Sequence, residues 1–132
     1  MIHHIGVFAS DLGASRRFFT QALAPLGVVA QYETDQVAEF WRLDTDAPSL
    51  SLGRTTGEVT RGLHLAFEAA DRNTVDAFFA AAIAAGGRER HAPRHWPHYR
   101  AYCAFVSDPD GNNIEAVHKE TSRRRPGARA AE

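Results

Sequence analysis

The sequence lacks the cysteine content, the long apolar runs and the net charge that would indicate a disulfide-rich, membrane or nucleic-acid-binding protein. It has a single cysteine among 132 residues, which excludes an internal disulfide or a cysteine-rich zinc site and fits a reducing compartment. No apolar run reaches about 18 residues, so no membrane span is expected. The formal net charge of −1 gives no general attraction to nucleic acid or to a membrane surface. The first residues are strand-like and lack the basic and apolar regions of a signal peptide, so we expect a soluble, cytoplasmic protein.

What the sequence does contain is an internal repeat with an offset of 60 positions. In each copy, a histidine in a short apolar strand is followed after seven residues by an aspartate that can cap a helix, and later by two phenylalanines and a glycine. The matching positions are His4 and His64, Asp11 and Asp71, Phe18-Phe19 and Phe78-Phe79, and Gly27 and Gly87. A repeat of this length indicates two copies of one supersecondary unit, neither of which buries its apolar face alone.

Alternation, helical spacing and turn residues predict the order βαβββ in each copy. The first copy is expected to have a strand at 2–9, a helix at 12–26, and strands at 28–33, 37–43 and 49–53. The second is expected to have a strand at 63–68, a helix after Asp71, and strands at 88–91, 100–107 and 112–118. The proline-containing stretch 92–98 is interpreted as a loop. The chain is therefore predicted to be one α+β domain over 1–119, with module one at about 1–53, module two at about 61–118, and a disordered tail at 120–132.

Strand alternation brings metal-binding side chains onto one face. If the apolar residues of each first strand pack under the helices, His4 and His64 both point to the opposite face. Glu115 in the last strand has the same parity and joins them. Two imidazoles and a carboxylate leave coordination positions open for water and substrate, as a catalytic metal requires. Ser51 corresponds to Glu115 in the first copy and is a poor ligand, so the predicted set has three members.

Other polar and aromatic residues are placed near this site by strand parity or by their position in the loop. Glu39 and Glu68 are candidates for the general base, and Tyr102 is a candidate hydrogen-bond donor to the substrate, although simple packing would also explain Tyr102. The residues expected to contact the substrate are Phe8, Trp41, Ser51, His95, Tyr99 and Arg100. The last three, together with Arg94, would do so at the proline-containing loop. Contact with an anionic or aromatic substrate and simple exposure to solvent both remain possible interpretations of these residues.

These features resemble the vicinal oxygen chelate superfamily, which includes glyoxalase I, extradiol dioxygenases, and fosfomycin- and bleomycin-resistance proteins. The resemblance covers residues 1 to about 119 and rests on His4 with 10–12 and 18–19, on 62–67, and on 108–115. It implies paired βαβββ modules forming a cupped mixed sheet with helices on the convex side, commonly in a homodimer. It also implies that His4, His64 and Glu115 hold a divalent ion of Mn, Fe, Ni, Zn or Co, which chelates two vicinal substrate oxygens as a Lewis acid.

Departures from the family patterns distinguish its members. Ser51 stands where glyoxalase I has a fourth ligand, and Phe105 stands where extradiol dioxygenases have a tyrosine, with His98 at best a substitute for their catalytic histidine. The stretch 94–99 is unlike the potassium-binding loop of fosfomycin-resistance enzymes. The chain is therefore expected to be a metal-dependent lyase, isomerase or group-addition enzyme, with dioxygenase activity disfavoured. The alternatives are a metal-free protein that binds a drug-like or aromatic ligand, as bleomycin-resistance proteins do, and a structural descendant with neither activity.

Overall fold

Each half of the chain folds in the predicted order of strand, helix and three strands. A computed structural model describes residues 2–45 and 48–120. The first module consists of β1 (Ile5–Ala9), α1 (Leu12–Leu23), a 3-10 turn (Ala24–Leu26), β2 (Val28–Glu33), β3 (Val37–Arg42) and β4 (Pro48–Arg54). The second consists of β5 (His64–Glu68), α2 (Arg72–Ala84), β6 (Arg88–Trp96), β7 (Ala101–Ser107) and β8 (Asn113–Lys119). No helix in the described part of the chain is long and apolar enough to cross a membrane.

Both helices begin where the repeated aspartates predict. The Asp11 carboxylate accepts a hydrogen bond from the Ala14 amide at 3.1 Å, and the Asp71 carboxylate accepts one from the Thr74 amide at 2.8 Å. These bonds satisfy amides that have no partner within a helix. Helix α1 ends at Leu23 rather than at the predicted residue 26, because the chain tightens into the 3-10 turn that contains a proline.

Each module forms its own four-stranded mixed sheet, with strand orders β1-β4-β3-β2 and β5-β8-β7-β6. The first and last strands of a module run parallel, and the other neighbours are antiparallel. The register places Gly6 beside Ser51 in the first sheet and Ala66 beside Glu115 in the second. The predicted α+β class and the two βαβββ modules are thereby confirmed.

The helix-covered faces of both sheets share one hydrophobic core. Helix α1 packs against α2, and the phenylalanines Phe18, Phe19 and Phe78 are fully buried. Close packing here depends on Gly87, because a Cβ atom at that position would lie 2.5 Å from Val106 Cγ1 and 2.7 Å from Phe18 Cε1. The other face of each sheet points away from this core and is called the open face below.

Strand β6 is longer than predicted. It runs through Pro93 to Trp96, so the loop predicted at 92–98 is wrong over 92–96, and the turn that follows spans residues 97–100. Strand β6 lies at the edge of its sheet, where a proline is tolerated because its missing amide does not interrupt a central ladder. Register shifts between Glu89 and His91 and between His91 and Arg94 accommodate the irregularity.

The turn between β7 and β8 connects the two modules. Asp110 accepts hydrogen bonds from the backbone amide and the hydroxyl of Ser10, at the end of β1. Asn112 accepts a bond from the Leu63 amide at 3.0 Å and donates one to the Thr60 carbonyl at 2.9 Å. Burial raises the pKa of the Asp108 carboxyl, which is bonded to the backbone and side-chain amides of Asn112. This turn, with the sequence Asp-Pro-Asp-Gly at 108–111, therefore also fixes the start of module two against module one.

Candidate functional site

A histidine and a glutamate meet on the open face of the second sheet. His64 Nε2 lies 2.8 Å from Glu115 Oε1. The His64 side chain is 52% exposed, whereas Glu115 as a residue is only 7% exposed. They approach because β5 and β8 are parallel neighbours, which places His64 one diagonal step from Glu115. A carboxylate buried this deeply requires polar partners, and the half-exposed imidazole supplies one from the solvent side.

Cys103 supplies a second partner to the same carboxylate. Its side chain is completely buried and hydrogen-bonded to Glu115. Burial, followed by this bond to an acidic group, raises the pKa of the Cys103 thiol to about 12. At neutral pH the thiol is therefore protonated and donates to the carboxylate. Cys103 is thus a buried residue that lies next to Glu115 on the same sheet face.

The third predicted ligand does not join this pair within one chain. His4 precedes β1 on the other sheet, is exposed, and has its Nδ1 atom 2.8 Å from His3 Nδ1. Among residues 2–45 and 48–120, no group of three histidine, cysteine, aspartate or glutamate side chains could hold a metal ion. Strand parity therefore identified a real His64–Glu115 pair, but the two open faces belong to separate sheets.

The open face of the first sheet carries the polar and aromatic residues predicted for it. The Ser51 hydroxyl donates a hydrogen bond to Glu39 Oε2 at 3.2 Å. Trp41 is half-buried and has the parity of Glu39, while Phe40 between them is fully buried in the core. Phe8 is 51% exposed and lies over Gly53, where a Cβ atom would be 3.4 Å from its ring. This face thus offers a carboxylate, a hydroxyl and two aromatic side chains.

Tyr102 is not on the predicted face, and His95 lies in strand β6 rather than in the predicted loop. The Tyr102 hydroxyl donates to Asp76 of α2 at 2.8 Å, and this bond raises the pKa of the tyrosine. His95 Nδ1 lies 2.7 Å from Glu120 Oε1, which is also paired with Arg72 at the start of α2. In β7 the open face is occupied instead by Ala101, Cys103 and Phe105. The face predicted for Tyr102 and the loop predicted around His95 are therefore wrong, whereas substrate contact by either residue stays a prediction.

Residues at the rim of the second sheet are also placed by the structure. Glu68 is exposed at the end of β5 and shares the parity of His64. Tyr99 and Arg100 lie in the turn after β6, where Tyr99 stacks on His98 with ring centres 4.2 Å apart. A cavity of about 460 Å³ opens beside Glu68 and is lined by Glu68, Ala69, Ala70, Val117, His118 and Lys119. Neither His64 nor Glu115 lines this cavity.

An aromatic surface next to the His64–Glu115 pair was missed by the sequence analysis. The ring of Phe105 lies 6.0 Å from His64, 5.4 Å from His91 and 5.4 Å from Trp96, measured between ring centres. The guanidinium of Arg94 stacks on Trp96 at 3.5 Å. We call Phe105, His91 and Trp96 the aromatic floor. It was missed because most of this part of β6 was interpreted as a loop. The alternation of side chains between two sheet faces was therefore not applied to it.

The model of the Glyoxalase/Bleomycin resistance protein/Dioxygenase superfamily matches residues 1–116. The protein YqjT of Bacillus subtilis (strain 168) is 33% identical over 129 residues, which cover 88% of this chain and 97% of that protein. A glyoxalase/bleomycin resistance protein from Albidiferax ferrireducens T118 superposes with a TM-score of 0.72 at 31% identity, covering 96% of this chain and 99% of that one.

A lactoylglutathione lyase from Agrobacterium tumefaciens has a TM-score of 0.66 at 22% identity, with 91% of this chain and 94% of that chain covered. At this level of identity the likeness concerns the fold.

Proposed function

The chain belongs to the Glyoxalase/Bleomycin resistance protein/Dioxygenase superfamily, and from this premise we propose that it is a divalent-metal-dependent enzyme. The substrate would carry two vicinal oxygens, and the reaction would be a lyase, isomerase or group-addition reaction. The observation that carries the proposal is the contact between His64 Nε2 and Glu115 Oε1, at 2.8 Å on an open sheet face. Metal binding would explain why a glutamate is buried between Ile114 and Ala116.

The two side chains fit a metal of the expected kind. Imidazole and carboxylate together suit Zn, Mn, Fe, Co or Ni, whose bonds to such donors are about 2.0–2.2 Å long. The two donor atoms, His64 Nε2 and Glu115 Oε1, lie 2.8 Å apart on an open face, so both would be available to one ion. His64 and Glu115 would hold the ion, with Cys103 orienting the carboxylate from beside it on the same sheet face. A divalent ion bound there would polarise substrate oxygens as a Lewis acid.

We propose that the third ligand comes from a second copy of the chain. His4 stands two residues before Gly6, the neighbour of Ser51, just as His64 stands two residues before Ala66, the neighbour of Glu115. If the first sheet of one copy faces the second sheet of the other, each of two equivalent sites receives His4 from one chain and the His64–Glu115 pair from the other.

Exposed apolar surface on the first module supports this arrangement. Phe8 is 51% exposed and Tyr32 is 54% exposed, although both are large hydrophobic side chains. A second copy that covers this sheet would remove them from water. The homodimer and the metal site thus belong to one proposal, because the dimer supplies the missing ligand.

Proton transfer in such a site is assigned to glutamates of the open faces. Glu39, bonded to Ser51, would reach the site together with His4 of the same chain. Glu68 lies on the same strand face as His64 and is exposed. The Glu39→Gln and Glu68→Gln variants distinguish them. The variant of the true base should lose turnover while it retains metal and substrate binding.

Elemental analysis tests the metal site directly. We expect about one transition metal per chain in protein purified without chelator, and loss of that metal in the His64→Ala and Glu115→Ala variants. His98→Ala, which removes a histidine from the turn after β6, should keep the metal and serves as the control. An ordinary ion pair between His64 and Glu115 has the same geometry. It would leave the wild type without metal even after loading with Mn, Fe, Ni or Zn, which would refute the proposal.

A second candidate is supported by the aromatic floor. A metal-free protein that binds an aromatic ligand needs accessible ring surface, which the exposed His91 and the half-buried Trp96 offer beside the buried Phe105. Such a protein would bind aromatic compounds equally well with and without the His64 side chain. Thermal shift measurements on the wild type and His64→Ala, with and without metal, separate this function from the enzyme.

A further inference from the structure

The aromatic floor carries a cation at the end away from the proposed metal site. The Arg94 guanidinium lies 3.5 Å from the centre of the Trp96 ring. Its one hydrogen bond is to the His95 carbonyl at 3.2 Å. No carboxylate among the described residues forms an ion pair with Arg94, although several other arginines of the chain have such partners. Arg94 therefore presents positive charge at an exposed site, held in place by an aromatic ring.

The nearest acidic groups on this face are at its other side. The strand register aligns Glu68, Val117, Cys103 and Arg94 across the sheet. Glu68 is thus three strand spacings from Arg94, or roughly 14 Å. Glu115 is two strands away from Arg94 and two residues further along. The Cα atoms of Glu115 and Arg94 are therefore on the order of 10 Å apart. A ligand lying along the floor can therefore reach from His64 and Glu115 to Arg94 without meeting another carboxylate of this face.

We propose that Arg94 and Trp96 determine specificity for a substrate with an aromatic ring and a carboxylate, the carboxylate lying at the end away from its two vicinal oxygens. This inference rests on the proposed function, because His64 and Glu115 define the end at which the oxygens bind. The ring lies against the exposed His91 and the half-buried Trp96, next to the buried Phe105, because aromatic edges and faces favour contact with another ring. The carboxylate pairs with the guanidinium of Arg94, which is suited to two parallel hydrogen bonds.

The test uses a pair of ligands that differ in one charge. 3,4-Dihydroxycinnamate has vicinal oxygens at one end and a carboxylate at the other, and its methyl ester is neutral there. Calorimetric titration of zinc-loaded protein should show the acid binding about tenfold more tightly than the ester, as expected for an exposed charge-assisted hydrogen bond. Arg94→Gln should bind the two equally. Arg88→Gln, which removes an exposed arginine from the same strand, should keep the preference.

A substitution in the floor separates ring stacking from charge. Trp96→Leu should weaken both ligands by roughly threefold to tenfold. The inference is overturned if the wild type binds neither ligand, if it binds acid and ester equally, or if Arg94→Gln keeps the preference. It is also overturned if Arg88→Gln loses the preference to the same degree, because general electrostatics would then explain it.

Failure of this inference can be told apart from failure of the metal site. Zinc content is measured before each titration. Protein that holds zinc but does not prefer the acid contradicts the role of Arg94 and leaves the metal site intact. Protein that holds no zinc contradicts the proposed function. The acid–ester comparison on that zinc-free protein still tests whether Arg94 recognises the carboxylate.

Discussion

The two modules share one architecture but differ in what their open faces can do. Each begins with a histidine, at positions 4 and 64, and each folds into the same order of strands. In module two the histidine meets Glu115 at 2.8 Å, and Cys103 lies beside the carboxylate on the same face. In module one the position of Glu115 is taken by Ser51, which bonds Glu39 instead. The two modules thus share one fold, and Glu115 at a single face position is the reason that we assign the proposed metal binding to module two.

The largest difference between the modules should appear in metal affinity. Glu115→Gln removes an anionic ligand and should weaken binding of Zn or Mn by at least about 100-fold, whereas the matched Ser51→Ala should change it little. Titration against a competing chelator measures both affinities. Equal losses in the two variants would show that the modules contribute alike and would contradict the assignment.

The repeated phenylalanine pair should also respond unequally. Phe19 is fully buried, with ring centres 5.0 Å from Phe18 and 6.3 Å from Phe40, whereas its counterpart Phe79 is only partly buried. Phe19→Ala should lower the free energy of unfolding by about 3–5 kcal/mol, and Phe79→Ala by clearly less. Urea denaturation measures both. If Phe79→Ala were as damaging as Phe19→Ala, the cores of the modules would be equivalent.

The repeated glycines are needed for different reasons. Gly27 has φ of 75° and open space around its Cα, so Gly27→Ala introduces backbone strain of about 1–2 kcal/mol. Gly87 has no room for a Cβ atom, and Gly87→Ala should destabilise by about 1–3 kcal/mol through overpacking. Asparagine separates the two causes, because it tolerates positive φ but is larger. Thermal denaturation should show Gly27→Asn milder than Gly27→Ala, and Gly87→Asn worse than Gly87→Ala.

The smallest effect concerns an ion pair that module two has and module one lacks. Arg72, in the position of the buried Leu12, bonds Glu120, and with His95 it holds the pKa of Glu120 at about 2, below its ordinary 4.5. A lowered carboxyl pKa stabilises the fold above about pH 4.5, and the stabilisation is lost as the pH falls towards 2.

Glu120→Gln should therefore lower the Tm modestly at about pH 6, and the difference from the wild type should vanish near pH 2. Glu89→Gln, at an exposed glutamate of β6, is the control and should change the Tm little at either pH. A Tm difference for Glu120→Gln that is independent of pH would mean that the pair with Arg72 does not carry the effect.

The fold was readable from the sequence because it depends on local signals. Asp11 and Asp71 cap helices where they were predicted to, and the alternation of β5 and β8 was enough to bring His64 and Glu115 together. The disorder predicted for 120–132 concerns residues beyond the described range except Glu120, whose side chain is bonded to Arg72.

What escaped prediction depends on irregular or long-range features. Pro93 concealed an edge strand, and with it the parity of His91 and Trp96. Tyr102 was assigned to the wrong face because parity gives two choices, and the partner that decides, Asp76, lies on a helix 26 residues away. Strand alternation also does not determine whether His4 and His64 lie on the same sheet, because that depends on how the two modules are assembled.

A metal site shared between two chains is tested by mixing two variants that are each expected to lack metal. His4→Ala and Glu115→Ala each damage every site of their own homodimer. If sites are shared, a heterodimer of the two variants has one site with both substitutions and one site with none, so co-refolded protein should regain up to roughly one metal ion per two chains of heterodimer. Metal content of the purified heterodimer, isolated with different affinity tags, gives the answer. A heterodimer as empty as its parents would contradict a site completed by the second chain.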